Sequence, residues 1–317
     1  MANLEAPVEL AAGVAYLTTG ISNVYYVGDK DNWVLVDAGV VGYTRQILAA
    51  AAARFGADAV PRAILLTHGH YDHVGCAGEL HTHWGVPVLA HALELPYLTG
   101  KSDYPQKDPT VGGAMGFLSR FFPARTVDLR GPLIELPEGP VPGLPGWTTI
   151  HTPGHTPGHV CFWREADGFV IGGDVVATAD LDSWIGITVQ RPKVSRPPSP
   201  FTYDWNLARS SIRQIAELCP RTLACGHGPP MGADAAVQLA RFAEDFRAPS
   251  HGRYVDTPAK ADRNGVVYEP PAPPDRLPKI AAGIVAGSLI LAGAIYRKRG
   301  GKTKADGSGR SKTDSSA

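Results

Sequence analysis

The stretch AILLTHGHYDH, residues 63–73, decides the fold, because an apolar run leads directly into three histidines and one aspartate. The first four of these residues predict a buried strand, so a rigid scaffold holds the polar loop that follows. His68 and His70 lie two residues apart in an extended chain and point to the same side. Asp72 and His73 follow one turn later and face a second site. Imidazole and carboxylate are ligands of zinc and related divalent ions, so the loop predicts a metal centre.

Three further candidate ligands follow predicted strands or turns downstream. His155 lies behind a Pro-Gly turn in HTPGHTPGH, Asp174 ends GGD, and His227 lies in the Gly-flanked turn CGHGP. The chain thus offers seven donors, enough for two ions that share one carboxylate. A single histidine would fit a polar surface loop better, but the crowding of the donors favours metal binding.

Strands and helices alternate along two halves of the chain. Apolar runs bounded by Gly, Asn and Asp predict strands, and longer segments free of Pro predict helices. The predicted strands are 14–17, 24–27, 33–36, 63–66, 148–151, 160–163 and 169–171, and the predicted helices are 44–55, 115–122, 204–218 and 233–246. Each half holds strands followed by a helix, which predicts a single catalytic domain over residues 1–247.

In this order the motifs resemble those of the metallo-β-lactamase superfamily, and the form TPGHTPGH is closest to its glyoxalase II-like branch. The resemblance covers residues 14–246, most of the chain. It implies an α/β (α+β) fold, a four-layer αββα sandwich with the site at one edge. It also implies two divalent metal ions, zinc in the first place, with iron and manganese as alternatives.

The resemblance also divides the seven donors between two ions: His68, His70 and His155 for the first, Asp72, His73 and His227 for the second, and Asp174 bridging both. Two such ions lower the pKa of a shared water and polarise a carbonyl oxygen. The expected activity is therefore hydrolysis of a small ester, lactone or thioester by a metal-bound hydroxide. Asp72 would orient that hydroxide as the catalytic residue.

Other polar residues of these motifs are expected to support the ligands. Asp37, in LVDAG, matches a family aspartate that orients a ligand, although an Asp that forms a turn after a strand is an equal alternative. His159 closes the TPGHTPGH motif and would also lie behind the ligands. The remaining histidines are expected to have helix, loop or packing roles rather than to bind metal: His81, His83, His91, His151 and His251.

The substrate is left open by the motifs. Asp174 is followed by VVATAD, without the tyrosine that lactonase-like members place there, and only one clear helix follows His227, unlike the basic helical region of glyoxalase II. Residues 97–123 are aromatic and irregular, which predicts a lid or substrate wall, with a helix packed on the sheet edge as the alternative.

Two other functions compete with hydrolysis. A mononuclear iron oxygenase resembling the persulfide dioxygenases shares the fold and the start of the first motif. The other alternative is a non-catalytic, membrane-anchored protein in which the site has only a structural role. Such a protein would be expected to lack at least one ligand, and none is missing.

Composition excludes some partners. The net charge is zero, but residues 297–317 hold seven Lys or Arg against two Asp, so the remainder is mildly acidic and nucleic acid is not an expected partner. Four cysteines without a C-x-x-C pair argue against a secreted, disulfide-stapled fold. The start of the chain lacks the pattern of a cleaved secretory signal.

The C-terminal part predicts a membrane anchor. Residues 248–279 are Pro-rich and predict a linker, and residues 280–296 form an uncharged run of 17 residues, about 26 Å as a helix. A transmembrane helix is favoured over a buried or amphipathic one, followed by a basic disordered tail at 297–317. The expected localisation is the membrane, single-pass, with a cytoplasmic catalytic domain. Gly283 and Gly287 would allow helix pairing in a homodimer.

Overall fold

Two β-sheets carry the architecture in the computed structural model, which describes residues 6–123, 128–129 and 133–275. The first sheet has seven strands in chain order: β1 (Val8–Ala11), β2 (Val14–Thr19), β3 (Ser22–Gly28), β4 (Trp33–Val36), β5 (Ile64–Leu65), β6 (Val88–Ala90) and β7 (Leu133–Glu135). Strands β1 to β4 pair antiparallel and β4 to β7 pair parallel. The parallel half brings the C-terminal ends of its strands to one edge.

Helices connect the parallel strands, because strands that run the same way need a crossover. Between β4 and β5 lies α1 (Thr44–Phe55), and between β5 and β6 lie α2 (Tyr71–Val74) and α3 (Ala77–Trp84). The segment between β6 and β7 contains α4 (Leu95–Leu98), α5 (Gly113–Leu118) and 3₁₀ turns at Pro109–Val111 and Ser119–Phe121.

The second sheet has five strands in the order β12-β11-β10-β9-β8. They are β8 (Gly139–Pro140), β9 (Trp147–His151), β10 (Val160–Arg164), β11 (Phe169–Gly173) and β12 (Thr222–Cys225), and only the β11–β12 pair is parallel among them. The crossover between those two contains α6 (Trp184–Val189) and α7 (Trp205–Glu217), and α8 (Ala235–Glu244) follows β12.

Successive side chains of a strand point to opposite faces of its sheet, and the buried apolar side chains form three separate layers. On β3, Tyr26 packs toward α1 in a cluster with Ile47, whereas its neighbour Tyr25 packs between the sheets in a cluster with Phe162. The outer face of the second sheet packs on α7 and α8, with Leu239 in that cluster. The order helix, sheet, sheet, helix confirms the predicted αββα sandwich.

Most of the predicted elements are present. The helix at 44–55 is confirmed with its bounds, and those predicted at 204–218 and 233–246 are α7 and α8. The helical piece predicted at 115–122 begins two residues earlier and ends as a 3₁₀ turn. Strands β1, β6, β7, β8 and β12 were not predicted; β6, β7 and β8 have only two or three residues, too few for a pattern.

The structure contradicts the predicted transmembrane helix and the membrane localisation that rested on it. No helix within 6–123, 128–129 and 133–275 is long and apolar enough to cross a membrane. The longest, α7, has 13 residues, about 20 Å at 1.5 Å per residue against a hydrocarbon core of about 30 Å. The run 280–296, the tail 297–317 and the pairing glycines Gly283 and Gly287 lie outside the described residues.

The segment predicted as a Pro-rich linker contains a β-hairpin over part of its length. Strands β13 (Lys260–Asp262) and β14 (Gly265–Tyr268) pair antiparallel, and the chain up to Pro273 belongs to one compact unit. Tyr254, just before the hairpin, is buried, and its hydroxyl donates to the Gln106 carbonyl at 2.6 Å. The segment therefore packs against the chain between β6 and β7.

Replacing Tyr254 with Ala should test this packing. The loss of a buried ring and its hydrogen bond is expected to lower the free energy of unfolding by about 3 kcal/mol. Tyr268→Ala, at a partly exposed ring of the same hairpin, is the matched control and should cost much less. Equal urea midpoints for the two variants would contradict a packed segment.

Candidate metal centre

The loop that follows β5 places its donors by a change of backbone conformation. His70 is extended, with φ −66° and ψ 150°, and α2 begins at the next residue. His68 and His70 therefore belong to the extended part, while Asp72 and His73 lie on the first turn of a helix. This is the division that the sequence predicts.

All seven predicted donors meet at one edge of the sandwich. They form three overlapping groups in which the ligand atoms lie within 4.8 Å of one another: His68, His70 and His155; His68, His73 and Asp174; Asp72, His73 and His227. Asp174 follows β11 and His227 follows β12, so two neighbouring parallel strands deliver them to the same place.

Asp174 lies at the middle of these groups. Its Oδ2 is 3.3 Å from Nε2 of His155, 3.2 Å from Nε2 of His227 and 3.6 Å from Nε2 of His73. The same Nε2 of His155 is 2.9 Å from Nδ1 of His70. The arrangement is that of two ligand groups joined by one carboxylate.

Buried atoms without hydrogen-bond partners mark the same place. Nε2 of His68, Nε2 of His73 and Oδ1 of Asp174 are all buried, and none has a hydrogen-bond partner. Buried polar atoms are otherwise almost always paired, because leaving one unpaired costs about 1–3 kcal/mol. Divalent ions would satisfy these atoms, so the residues present fit a metal centre.

The histidine donors differ in the direction in which their pKa values are shifted. Burial lowers the pKa of His68 and His155 well below the usual value and lowers that of His70 to about 3, so these imidazoles are neutral. Burial also lowers the pKa of His227, but the carboxylates of Asp174 and Asp72 together raise it to about 9. Asp174 thus favours a positive charge beside it, and the neutral imidazoles are in the form that binds metal.

Hydrogen bonds behind the ligands fix which ring nitrogen faces the centre. His73 Nδ1 donates to Oδ2 of Asp37 at 2.8 Å, and His227 Nδ1 donates to the Ile21 carbonyl at 2.7 Å. In its neutral form, the form that binds metal, each ring then carries its lone pair on Nε2, which is directed at the centre. Asp37 also accepts the Thr67 N–H at 2.8 Å, so one side chain binds both the start of the histidine loop and His73.

His159 lies behind the centre as well. Its Nε2 accepts the backbone N–H of Asp174 at 2.8 Å, and its Nδ1 is 2.8 Å from the hydroxyl of Thr152. Both ring nitrogens are engaged, and burial lowers the pKa of the ring to about 3. His159 therefore orients Asp174 rather than offering a free donor.

Glu94 is a buried carboxylate that the sequence analysis missed. Its Oε2 accepts the N–H of Gly69, between His68 and His70, at 2.9 Å, and its Oε1 accepts the N–H of Gly158 at 2.6 Å. One side chain thus joins the two loops that carry the first ligand group. Tyr104 donates its hydroxyl to the same carboxylate and stacks on Tyr97. HALELPYL contains no motif that would have indicated this role.

The other histidines lie elsewhere. His81 bonds the Val86 carbonyl through Nδ1, and His251 lies beside the hydroxyl of Ser250. His91 and His151 stack on each other near Glu138 rather than joining the seven donors.

Two connected cavities lead to the centre. A small one is lined by His70, Asp72, His155, Asp174 and His227 together with apolar side chains of Ile21, Met115, Phe122 and Phe201. A larger one of about 600 Å³ shares His70, Tyr71 and Phe201 with it. The segment 97–123, predicted as a lid or wall, forms part of this lining through Tyr104, Lys107, Arg120 and others.

Comparison with known proteins identifies the family. The family model described as "Metallo-beta-lactamase superfamily" matches residues 17–227. The chain is 41% identical over 228 residues to "Probable metallo-hydrolase YflN" of Bacillus subtilis strain 168, covering 70% of this chain and 86% of that protein. The hydroxyacylglutathione hydrolase GloC of Haemophilus influenzae is 31% identical over 115 residues, 36% of this chain and half of that enzyme, so the glyoxalase II-like branch has only weak support.

A solved structure agrees with the fold. TTHA1623, solved in a di-iron-bound form, superposes with a TM-score of 0.50 at 26% identity, covering 74% of this chain and 98% of that one. The likeness extends over the sandwich and shows that this fold binds two metal ions in a similar protein.

Asp37→Asn tests the orientation of His73. The Asn carbonyl can still accept the Thr67 N–H, but its amide NH₂ then faces His73 Nδ1 and favours a proton on Nε2, the nitrogen needed for metal. Zinc affinity, measured by chelator competition, should fall about 10–100-fold. Asp58→Asn, at an exposed position, is the control; equal affinities in both variants would contradict the role of Asp37.

Glu94→Gln tests the join between the two ligand loops. A Gln side chain has one carbonyl oxygen and so can accept from Gly69 or Gly158, but its NH₂ opposes the other N–H. The free energy of unfolding should fall by about 1–3 kcal/mol. Tyr104→Phe removes a hydroxyl that donates to Glu94 and accepts from Gly69, but it leaves both carboxylate oxygens in place and should cost less. A Gln variant as stable as the parent would show that the carboxylate does not join the loops.

Proposed function

The chain belongs to the metallo-β-lactamase superfamily and is a metallohydrolase; we propose that it cleaves a small ester, lactone or thioester at a centre of two divalent ions. The observation that carries the proposal is the convergence of six donor side chains around a seventh, the buried Asp174. None of these donors is missing or turned away from the cluster.

The ligand groups support an assignment to two ions. His68, His70 and His155 would hold the first ion, and Asp72, His73 and His227 the second, because each set has its ligand atoms within 4.8 Å. Asp174 would bridge, since its Oδ2 is within 3.3 Å of a histidine nitrogen from each set. When bound, such ions lower the pKa of water and polarise a carbonyl oxygen.

Asp72 is the proposed catalytic carboxylate. Its Oδ2 lies 3.4 Å from His227 Nε2 and its side chain lines the small cavity, so it faces the place where substrate meets the centre. A carboxylate at that position can accept a hydrogen bond from the attacking water and hold it in line with a carbonyl carbon. The backbone carbonyl of Asp72 accepts the Ser22 hydroxyl at 2.5 Å, which fixes the residue.

The walls of the small cavity indicate the kind of acyl group. Ile21, Met115, Phe122 and Phe201 surround the donors, so the part of the substrate nearest the ions is apolar and short. The leaving group would extend into the 600 Å³ cavity, which is open and has both polar and aromatic walls.

The dinuclear hydrolase is favoured over the mononuclear iron oxygenase by the second ligand group. An enzyme with one ion would leave Asp72 and His227 buried beside Asp174 without a function, although His227 is oriented by its own hydrogen bond. The metal itself is not fixed by this donor set, because imidazole and carboxylate suit zinc, iron and manganese.

His68→Ala provides the test. Elemental analysis of the purified protein should give about two equivalents of a divalent metal, and a panel of esters, lactones and thioesters should contain a substrate. The variant should lose metal and reduce kcat/KM by more than about 100-fold, since removing a ligand exceeds the 10–100-fold effect of an outer partner.

His83→Ala, an exposed histidine on α3, is the matched control and should keep both metal and activity. Full activity of His68→Ala, or a parent protein with no stoichiometric metal, would overturn the proposal. Oxygen consumption with a persulfide substrate, together with one equivalent of iron, would support the oxygenase instead.

A further inference from the structure

A second group of metal-ligand side chains lies apart from the seven donors, where the two sheets approach each other. His91 directly follows β6 of the first sheet, His151 ends β9 of the second, and Glu138 immediately precedes β8. One ligand atom of each lies within 4.8 Å of the others. We propose that these three side chains bind a divalent transition-metal ion, such as Zn²⁺, at a site separate from the catalytic centre.

One ring nitrogen of His151 is used in a hydrogen bond, and the other lies beside the carboxylate of Glu138. Its Nε2 donates to the Pro157 carbonyl at 2.9 Å, so a metal would have to bind through the other ring nitrogen, Nδ1. That Nδ1 lies 3.9 Å from Oε1 of Glu138, a carboxylate oxygen. A cation between these two atoms would make a favourable contact with each of them.

His91 offers a third donor to the same point. Its ring is stacked on His151, with centroids 4.2 Å apart, and its Nε2 is 3.8 Å from the same Glu138 oxygen. Burial and the His151 ring lower the pKa of His91 to about 4, so the ring is neutral near pH 7. Neutral imidazole is the form that binds metal.

Binding requires only small adjustments. Ligation through Nε2 moves the His91 ring proton to Nδ1 and gives up a hydrogen bond from the Leu93 N–H, which is long at 3.4 Å. The stacked rings must also fan apart to direct both lone pairs at one ion. Glu138 is 61% exposed on its side chain and can follow the ion.

The donor set selects the class of ion. Two imidazoles and one carboxylate suit Zn²⁺ and its neighbours, whereas Ca²⁺ and Mg²⁺ prefer oxygen ligands. Water would complete the coordination on the exposed side of Glu138. The nearby cation, Arg263, lies 3.5 Å from Glu135 and is engaged there, so it does not replace the ion.

The site would link the two sheets. His91 belongs to the first sheet and His151 to the second, so an ion held by both is a cross-link absent from the unfolded chain. Such an ion stabilises the folded state by mass action. This inference does not rest on the hydrolase activity, because none of its ligands belongs to the seven donors.

Glu138→Gln in the full-length chain tests the site, because the side chain is exposed and its change should leave the fold intact. Equilibrium dialysis against Zn²⁺, followed by elemental analysis, should find one equivalent fewer in this variant than in the parent. His151→Ala should lose the same equivalent. The matched controls Glu165→Gln and His83→Ala, both at exposed positions, should keep it.

The outcomes separate this site from the catalytic centre. His68→Ala should lose zinc from the centre and keep the additional equivalent, whereas Glu138→Gln should keep the zinc of the centre and any hydrolytic activity. Zn²⁺ should raise the Tm of Glu165→Gln more than that of Glu138→Gln. Equal zinc stoichiometry in the parent and Glu138→Gln, or a loss only in His151→Ala, would overturn the three-ligand site.

Discussion

The structure depends on one buried negative charge. Asp174 is almost wholly inaccessible to solvent, and its carboxylate lies among the imidazoles of His68, His73, His155 and His227. Burying a carboxylate is costly unless charge and hydrogen bonds compensate it. Here its backbone is held by His159 and one of its oxygens has no hydrogen-bond partner. Metal ions held by these ligands would provide the compensation.

The sandwich brings the donor side chains together at the ends of its strands. Parallel strands β4 and β5 deliver Asp37 and the histidine loop, and β11 and β12 deliver Asp174 and His227. The approach is so close that small residues are required. A Cβ on Gly226 would lie 2.2 Å from Asp174 Oδ1 and 2.5 Å from His73 Cε1, so only glycine allows β12 to end beside the donors.

Features encoded locally could be predicted from the sequence, and features made by distant residues could not. The seven donors lie in short motifs beside predicted strands or turns, and the helix at 44–55 is a continuous Ala-rich run. Glu94 acts on Gly69 and Gly158, which lie 25 and 64 residues away, and no pattern around it indicates those partners. Glu138 is likewise brought to His151 by the pairing of β8 with β9, and His91 by the contact between the two sheets.

The hairpin after α8 was not predicted for a different reason, because the local sequence does contain a hairpin turn signal. The dipeptide Asn264–Gly265 favours a hairpin, and Arg263 and Asn264 form the turn between the paired residues Asp262 and Gly265, but the surrounding prolines made the whole segment resemble a spacer. The hairpin matters for function because Val266 and Glu269 line the 600 Å³ cavity beside His70. The donor set comes from the motif-bearing core and the cavity wall from segments without motifs. Reaction class can therefore be inferred from sequence, whereas substrate choice depends on side chains that only the folded structure brings together.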